Sequence, residues 1–239
     1  MTTASTATVF RDIRPHSRAA PVELIAAGGL LVERVPEGAR VEVVEGGGRI
    51  ALPTLVDAHI HPDKTAWGEP WYSRRPASGL PEYVRGDVEL YERQRTPLAE
   101  RAERLADAGI GLTTVAPSAH QVLPFRELAA HGVQVGLGSD GVRDSWSPFG
   151  NADMLHRAHL LGWTTDARTD TQLAECFALA SAGGAELLGL PAADLTPGSP
   201  ADFMLVTGEC LPQVVVDLPE RELVVRAGRV VARNGRFLG

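Results

Sequence analysis

The sequence predicts an α/β protein in which two β-rich ends enclose a middle of alternating strands and helices. Residues 7–53 and 198–239 contain short runs that alternate apolar and polar residues and are separated by glycines. This pattern is typical of strands joined by tight turns. The middle instead places apolar strands before helices, an order that favours a parallel sheet. We therefore expect both ends to form one small β-sandwich, with the middle inserted between them.

The two β-rich ends define the predicted domains. The first end contains the runs TVFRDIR, VELIA, LLVERV, VEVVE and RIALP, and the second contains ADFMLV, QVVVDL, ELVVRA and RVVARNGRFL. We interpret each run as a strand, with short antiparallel pairs in the first end. Asn234 and Gly235 predict a hairpin turn, because both residues tolerate positive φ. We expect a composite sandwich domain of residues 1–53 and 198–239, and a second domain of residues 54–197.

The middle of the chain alternates predicted strands with predicted helices. The strands are TLVDAHIH (54–61), IGLTTVAP (110–117) and VQVGLGSD (133–140); the helices are residues 81–108, PFRELAAHG (124–132), 151–162 and 170–189. In the second helix, Pro124 lies near the start and Gly132 directly after the end, the usual positions of these residues.

Composition narrows the class of protein and its partners. The chain has 239 residues, of which 44% are hydrophobic and 22% charged, and its net charge is −7. This balance is typical of a globular protein and argues against nucleic-acid binding. No run reaches the ~18 apolar residues of a membrane helix, and the first residues lack the apolar core of a secretory signal. The cysteines, Cys176 and Cys210, form no paired motif, so we expect buried thiols and a cytoplasmic location without membrane partners.

A pair of histidines ends the first strand of the middle region. His59 and His61 are two residues apart, so on a strand both side chains point to the same face. They lie at the strand's carboxyl end, where α/β barrels have their active sites. Imidazoles are good ligands for zinc or iron. The motif by itself fits a metal site and an ordinary pair of hydrogen-bonded histidines equally well.

A second candidate site follows the strand 133–140. Asp140 ends this strand and is followed by glycine, which suits a metal ligand, a general base or a turn that accepts backbone hydrogen bonds. Arg143, Asp144 and Trp146 follow in the same loop. These side chains would offer polar and aromatic groups to a flat ligand, or form a surface ion pair beside a packed tryptophan.

Two long motifs together resemble a known family. LPTLVDAHIHPDKTAWGEPW and VGLGSDGVRDSWSPFGNADML are similar to the cytosine deaminase branch of the amidohydrolase superfamily, which includes triazine-ring amidohydrolases of the N-isopropylammelide type. GSPADFMLV resembles the return of that superfamily into its small sandwich. The resemblance implies a metal-dependent hydrolase with a TIM (β/α)8 barrel, in which His59, His61 and Asp140 bind one divalent ion, zinc or iron.

The resemblance also implies a reaction and a substrate class. The reaction is hydrolysis of a C–N bond on a cytosine- or triazine-like ring, so the expected partner is a small nitrogen heterocycle. Asp140 is expected to accept a proton from the attacking water, and Asp144 and Trp146 to border the ring. The other known deaminase design, with H-x-E and P-C-x-x-C motifs, is absent from the sequence.

The chain is too short for the complete barrel that the resemblance implies. Between His61 and Asp140 lie residues 62–139, whereas a whole barrel takes about 250 residues. IGLTTVAP resembles barrel strand 7 and VQVGLGSD strand 8, so we expect an incomplete barrel that lacks strands 2–6. We place the join between Ala99 and Leu105. The histidines of strands 5 and 6 and the proton-shuttling glutamate of the family have no counterpart that we can identify.

The missing strands leave three hypotheses about activity. The first is a deaminating hydrolase with weak or no turnover. The second is a cyclic amidase of the hydantoinase or dihydroorotase kind, although its carboxylated lysine is not found. The third is an inactive remnant that serves as a binding or self-associating module, because open sheet edges favour pairing with other chains.

Overall fold

The structure consists of one large mixed sheet, one small parallel sheet and six helices among the residues that it describes. The computed structural model describes residues 6–58, 98–116, 122–143 and 148–238. The strands are β1 (Thr6–Pro15), β2 (Val22–Ala27), β3 (Leu30–Val32), β4 (Arg40–Pro53), β5 (Leu112–Val115), β6 (Val135–Gly138), β7 (Phe203–Val206), β8 (Arg221–Arg226), β9 (Arg229–Arg233) and β10 (Arg236–Phe237). The helices are α1 (Leu98–Asp107), α2 (Phe125–Ala130), α3 (Met154–Thr164), α4 (Asp170–Leu179), α5 (Ala182–Leu187) and α6 (Leu211–Asp217).

The two ends of the chain meet in one eight-stranded sheet. Its strand order is β10-β9-β8-β7-β4-β1-β2-β3. The junction is the antiparallel pair β4–β7, which runs from Ile50 opposite Val206 to Pro53 opposite Phe203. Asn234 and Gly235 adopt φ values of 47° and 72° between β9 and β10, so the predicted hairpin is confirmed. The expected association of both ends is therefore present, in the form of one mixed sheet.

One strand pair departs from the predicted antiparallel arrangement. β1 pairs antiparallel with β2, as expected, but it pairs parallel with β4. The reason is the excursion through β2 and β3 on one side of β1, after which the chain returns along the other side of β1 in the same direction as β1. The prediction of only antiparallel pairs in the first end is wrong for β1–β4.

The core of the large sheet joins residues from both ends of the chain. The rings of Phe10 and Phe203 meet edge to face, with centroids 4.9 Å apart, and both side chains are buried. Ile13, Leu205 and Leu223 belong to the same cluster. Burial of each such side chain stabilises the fold by about 1.5–3 kcal/mol, so this core fixes the end-to-end pairing through which β4 delivers the chain to residue 54.

The small sheet confirms the predicted strand–helix–strand unit. β5 and β6 are parallel, with Leu112 opposite Val135 and Val115 opposite Gly138. α2 connects them and ends before Gly132, whose φ of 82° is the left-handed conformation expected after a helix. Each of these elements is a few residues shorter than predicted.

The segment 54–58 lies beside β6, although it does not form the regular strand that was predicted. The Val56 amide donates to the Ala180 carbonyl at 2.8 Å, and the Ala58 amide donates to the Leu137 carbonyl at 3.1 Å. Part of the expected strand ladder is thus replaced by a bond to the connection between α4 and α5. The remainder of that predicted strand, residues 59–61, and the predicted helical residues 81–97 lie outside the described residues.

The run QVVVDL was predicted as a strand and is instead part of α6. Pro212 occupies the first turn of α6, where its missing amide hydrogen is tolerated. Val214 and Val215 are buried in an apolar cluster with Ile50 of β4 and Val206 of β7. This packing outweighs the strand preference of β-branched residues.

Two further expectations are corrected. The predicted helix 170–189 is divided into α4 and α5 near Ser181, whose hydroxyl donates to the Phe177 carbonyl at 2.9 Å. Cys176 is buried as expected, whereas Cys210 is exposed at the start of α6, and both thiols are free. No helix in the described part of the chain has the length and apolar character needed to cross a bilayer.

Glycine at position 184 is required by the contact between α5 and the segment 54–58. A Cβ at Gly184 would lie 3.0 Å from the Val56 Cβ, whereas a Cβ at Gly162 in α3 would meet nothing closer than 3.4 Å. We predict that Gly184→Ala lowers the free energy of unfolding by about 1–3 kcal/mol. Gly162→Ala, the matched control, should leave it unchanged or raise it by up to about 1 kcal/mol. Urea denaturation of both variants measures the difference, and equal stabilities would contradict the proposed packing.

Candidate active site

The carboxyl ends of β5, β6 and the segment 54–58 are level with one another. Val115 is opposite Gly138, so the next residues, Ala116 and Ser139, are also neighbours. The Ser139 amide donates to the Asp57 carboxylate at 2.9 Å. Asp57 therefore links the sequence motif that contains it to the motif that contains Asp140.

Asp140 is the residue that follows Ser139 in sequence. It is half-buried and adopts a φ of 59°, a left-handed conformation that aspartate tolerates better than most residues. Ala58, which immediately precedes the histidine pair in sequence, is bonded to Leu137, three residues before Asp140. The structure thus places Asp140 two residues after β6, which lies next to the segment that leads into the histidine motif.

The other predicted site residues lie outside the described part of the chain: His59, His61, Asp144 and Trp146. Their roles as metal ligands and substrate contacts stay predictions. Among the residues that the structure describes, no group of three or more histidine, cysteine, aspartate or glutamate side chains is placed to hold a metal ion. Of the three predicted ligands, Asp140 lies within the described residues, and its carboxylate is a donor of the kind that zinc and iron accept.

Arg157 is a site residue that the sequence analysis missed. It lies in the first turn of α3, is only 7% exposed, and donates through Nη1 to the Ala116 carbonyl at 3.0 Å. Burial lowers the pKa of Arg157, while the negative charges of Asp57 and Asp140 act in the opposite direction. A charged residue on the otherwise apolar face of a predicted helix is the signal that would have identified it.

Asp57 and Ser139 were also missed, although the sequence contained a signal for Asp57. It precedes His59 by two residues, and alternation along an extended segment predicts that both side chains face the same way. Ser139 is buried, and its hydroxyl has no hydrogen-bond partner within the described ranges. Thr114 is buried nearby on β5 and accepts a hydrogen bond from the Leu123 amide at 3.2 Å. The strand ends therefore hold a cluster of buried polar groups.

α3 is held in place by a carboxylate at its first turn. Asp153 accepts hydrogen bonds from the Leu155 amide at 3.0 Å and the His156 amide at 3.2 Å, which caps the helix. The same carboxylate pairs with both terminal nitrogens of Arg221 on β8, one of them at 2.7 Å. Burial alone would raise the pKa of Asp153, but the hydrogen bond and charge of Arg221, together with the two amides, hold it below its usual value.

Further along α3, two histidines share a face that lies away from the strand ends. The rings of His156 and His159 are stacked with centroids 6.3 Å apart, and His159 also stacks on Trp163 at 6.5 Å. Nδ1 of His159 lies 3.1 Å from the Val215 carbonyl. Both histidines are half-buried, which agrees with a packing role.

A cavity of about 1000 Å³ lies between the segment 53–57 and helices α4 and α5. Its walls are mainly apolar and include Leu55 and Phe177, and it reaches Asp57. His16 forms part of the wall, with its ring 6.3 Å from that of Phe177 and its Nδ1 unpartnered among the described residues. Burial lowers the pKa of His16, and a backbone hydrogen bond with Ala51 opposes this effect only partly.

Parallel strands with carboxylates near their carboxyl ends, joined to a sheet made from both chain ends, define a mixed α/β protein. Residues 94–232 match the sequence profile of the Amidohydrolase family. The chain therefore belongs to the amidohydrolase family, as its motifs indicated.

Curated relatives agree with this assignment. The chain is 26% identical over 129 residues to N-isopropylammelide isopropyl amidohydrolase of Pseudomonas sp. (strain ADP), a match that covers 54% of this chain and 32% of the relative. It is 36% identical over 88 residues to 5′-deoxyadenosine deaminase of Methanoregula boonei, which covers 37% of this chain and 20% of the relative. The chain thus spans a third or less of the length of these relatives.

Solved structures share the fold. N-isopropylammelide isopropylaminohydrolase from Burkholderia multivorans superposes with a TM-score of 0.80 at 23% identity, covering 98% of this chain and 100% of that chain. 5-Methylcytosine deaminase from Klebsiella pneumoniae superposes with a TM-score of 0.66 at 16% identity, covering 98% of both chains. The fold is therefore a mixed α/β fold similar to those of amidohydrolase structures.

The half-buried His16, whose pKa is lowered by burial, should make stability depend on pH. Because its pKa is lower in the folded than in the unfolded protein, the unfolded chain takes up the proton first as pH falls, and stability is lost below the unfolded pKa of about 6.5. We predict that the midpoint temperature of thermal unfolding falls less between about pH 7.5 and pH 5 in His16→Gln than in the unaltered protein. Identical pH profiles of the two proteins would contradict the burial of a neutral imidazole.

Proposed function

We propose that the chain is a metal-dependent hydrolase of C–N bonds that acts on a cytosine- or triazine-like ring, with weak turnover in its present length. The observation that carries this proposal is the Asp57–Ser139 hydrogen bond, which sets Asp140 beside the segment leading into His59. Family membership supports the reaction class. The names of two relatives, an amidohydrolase of N-isopropylammelide and a 5-methylcytosine deaminase, support the ring substrate.

The fold that best accommodates these comparisons is an incomplete TIM barrel attached to a small sandwich. In this interpretation, the segment 54–58 is barrel strand 1, β5 is strand 7 and β6 is strand 8. The superposition reaches both ends of the Burkholderia structure, while sequence relatives are covered to a third or less, which supports a gap of strands 2–6. The domains would be residues 1–53 with 198–239, and residues 54–197, with the join at 99–105 inside α1.

His59, His61 and Asp140 would hold one divalent zinc or iron ion in this proposal. Asp140 is a suitable donor at a strand end, although the described residues alone supply no complete ligand set. A bound ion of this kind lowers the pKa of a water so that hydroxide forms near neutral pH. Asp140 would accept the proton from that attacking water, and Asp144 and Trp146 would border the ring.

Turnover should be weak because the family's strand-5 and strand-6 histidines and its glutamate have no identified counterpart. A cyclic amidase is the less favoured reaction, since its lysine is also not found. The net charge of −7 supports a small heterocycle as partner rather than nucleic acid, and we propose the cytoplasm as the location. Sheet edges that have no pairing strand within the described ranges support a second candidate function, an inactive module that associates with itself.

Metal-dependent deamination is tested by ammonia release from cytosine and ammelide, with metal content measured on the same sample. We predict turnover below about 1 s⁻¹ that requires added zinc or iron, and a loss of about 100-fold or more in Asp140→Asn because the proton acceptor is removed. Asp194→Asn, in an exposed loop, is the control and should keep the activity. Metal-independent turnover would contradict the metal role. A stoichiometric metal with ordinary turnover would contradict the proposed deficit.

Self-association is tested by light scattering coupled to size exclusion. Among the described residues, β5 pairs only with β6, so its other side is a candidate edge for pairing with another chain. We predict concentration-dependent oligomers that Thr113→Lys on β5 reduces, whereas Val41→Lys, at an exposed position of β4, does not. A monomer at all concentrations would rule out this partner.

A further inference from the structure

We propose that Arg157 is a buried counter-charge for Asp57 and Asp140, and so a positioning residue for the carboxylates at the strand ends. The role of Asp140 as a reacting group rests on the proposed function. The charge pairing itself does not, and it can be measured on a protein without turnover.

The burial of Arg157 is not explained by its hydrogen bonding. The side chain is 7% exposed, and its neighbours on the same helix, Leu155 and Ala158, are fully buried. Nη1 is bonded to the Ala116 carbonyl, while Nε has no hydrogen-bond partner among the described residues. A guanidinium has five donors, and a charge that is removed from water is costly unless other charges compensate it. The compensation must therefore come largely from charges that are not in direct contact.

Its hydrogen bond places the guanidinium at the strand ends, near the backbone that carries Asp140 and binds Asp57. Ala116, to which it is bonded, is level with Ser139 across the β5–β6 pair. The Ser139 amide holds Asp57, and Asp140 is the next residue. Among the described residues, the negative charges of Asp57 and Asp140 favour the charged form of Arg157.

The negative charges of Asp57 and Asp140 lie on segments that are joined by the Ser139 amide. Like charges on neighbouring segments of partly buried backbone repel each other, and the low dielectric of the interior strengthens the repulsion. Arg157 cannot easily withdraw, because Asp153 caps the start of α3 and is paired with Arg221 of the large sheet. α3 therefore holds the positive charge of Arg157 in a fixed position at the strand ends.

A competing explanation is that Arg157 only tethers the Ala116 carbonyl. Thermodynamic coupling separates the two explanations, because a tether does not depend on the charges of Asp57 and Asp140. The single variants are Arg157→Met, Asp57→Asn and Asp140→Asn, studied with both doubles that contain Arg157→Met. Asparagine at position 57 retains an oxygen that can accept from the Ser139 amide.

We expect Arg157→Met to lower the midpoint temperature of thermal unfolding, and each double variant to fall short of the summed losses by about 3 °C or more. Arg157→Lys keeps the charge, so its loss of stability should be at most about half of the loss in Arg157→Met. If Arg157→Met does not fold, addition of Asp57→Asn or Asp140→Asn should restore folding. The control is Arg168→Met, whose exposed side chain pairs with Asp166, and it should be additive with Asp57→Asn.

Additive losses, absence of rescue, or an Arg157→Lys variant as unstable as Arg157→Met would each overturn the counter-charge. None of these results depends on catalysis. Coupling without any turnover would support the counter-charge and count against the proposed function, whereas turnover without coupling would do the reverse.

Discussion

The hydrogen bond from the Ser139 amide to the Asp57 carboxylate is the interaction on which the candidate site depends. Together with the bond from Ala58 to Leu137, it attaches the segment 54–58 to β6. Among the described residues, these two bonds join the strand that precedes Asp140 to the segment that leads into the histidines. Because the bond uses a charged acceptor in a partly buried place, it is stronger and more directional than an ordinary strand contact.

The large sheet supports this junction from both sides. Pairing of β4 with β7 brings the chain to Pro53 at a fixed position, from which residues 54–58 run directly to β6. On the other side, the Asp153–Arg221 pair ties α3 to β8. The same core that joins the two chain ends therefore positions the helix that carries Arg157, and the site is a consequence of how the ends associate.

Local signals in the sequence predicted much of this fold. Asn234-Gly235 identified its hairpin and Gly132 the end of α2, because positive φ is encoded by single residues. Contacts between segments that are distant in sequence were harder to predict. The valines of α6 form a helix because Pro212 starts it and the sheet buries one side, and neither fact is visible in a short window. The motifs predicted Asp140. A role for Arg157 could not be predicted, because Asp57 is distant from it in sequence.

The attachment of the segment 54–58 to β6 is the central feature of the site, and amide hydrogen exchange measures that attachment directly. The amides of Ala58 and Ser139 should exchange slowly, at rates closer to those of β4 than to those of exposed loops. Asp57→Ala should accelerate exchange at Ser139 while leaving the β4–β7 pair protected. Fast exchange at Ala58 and Ser139 in the unaltered protein, with β4 and β7 still protected, would show that the two motifs are not joined.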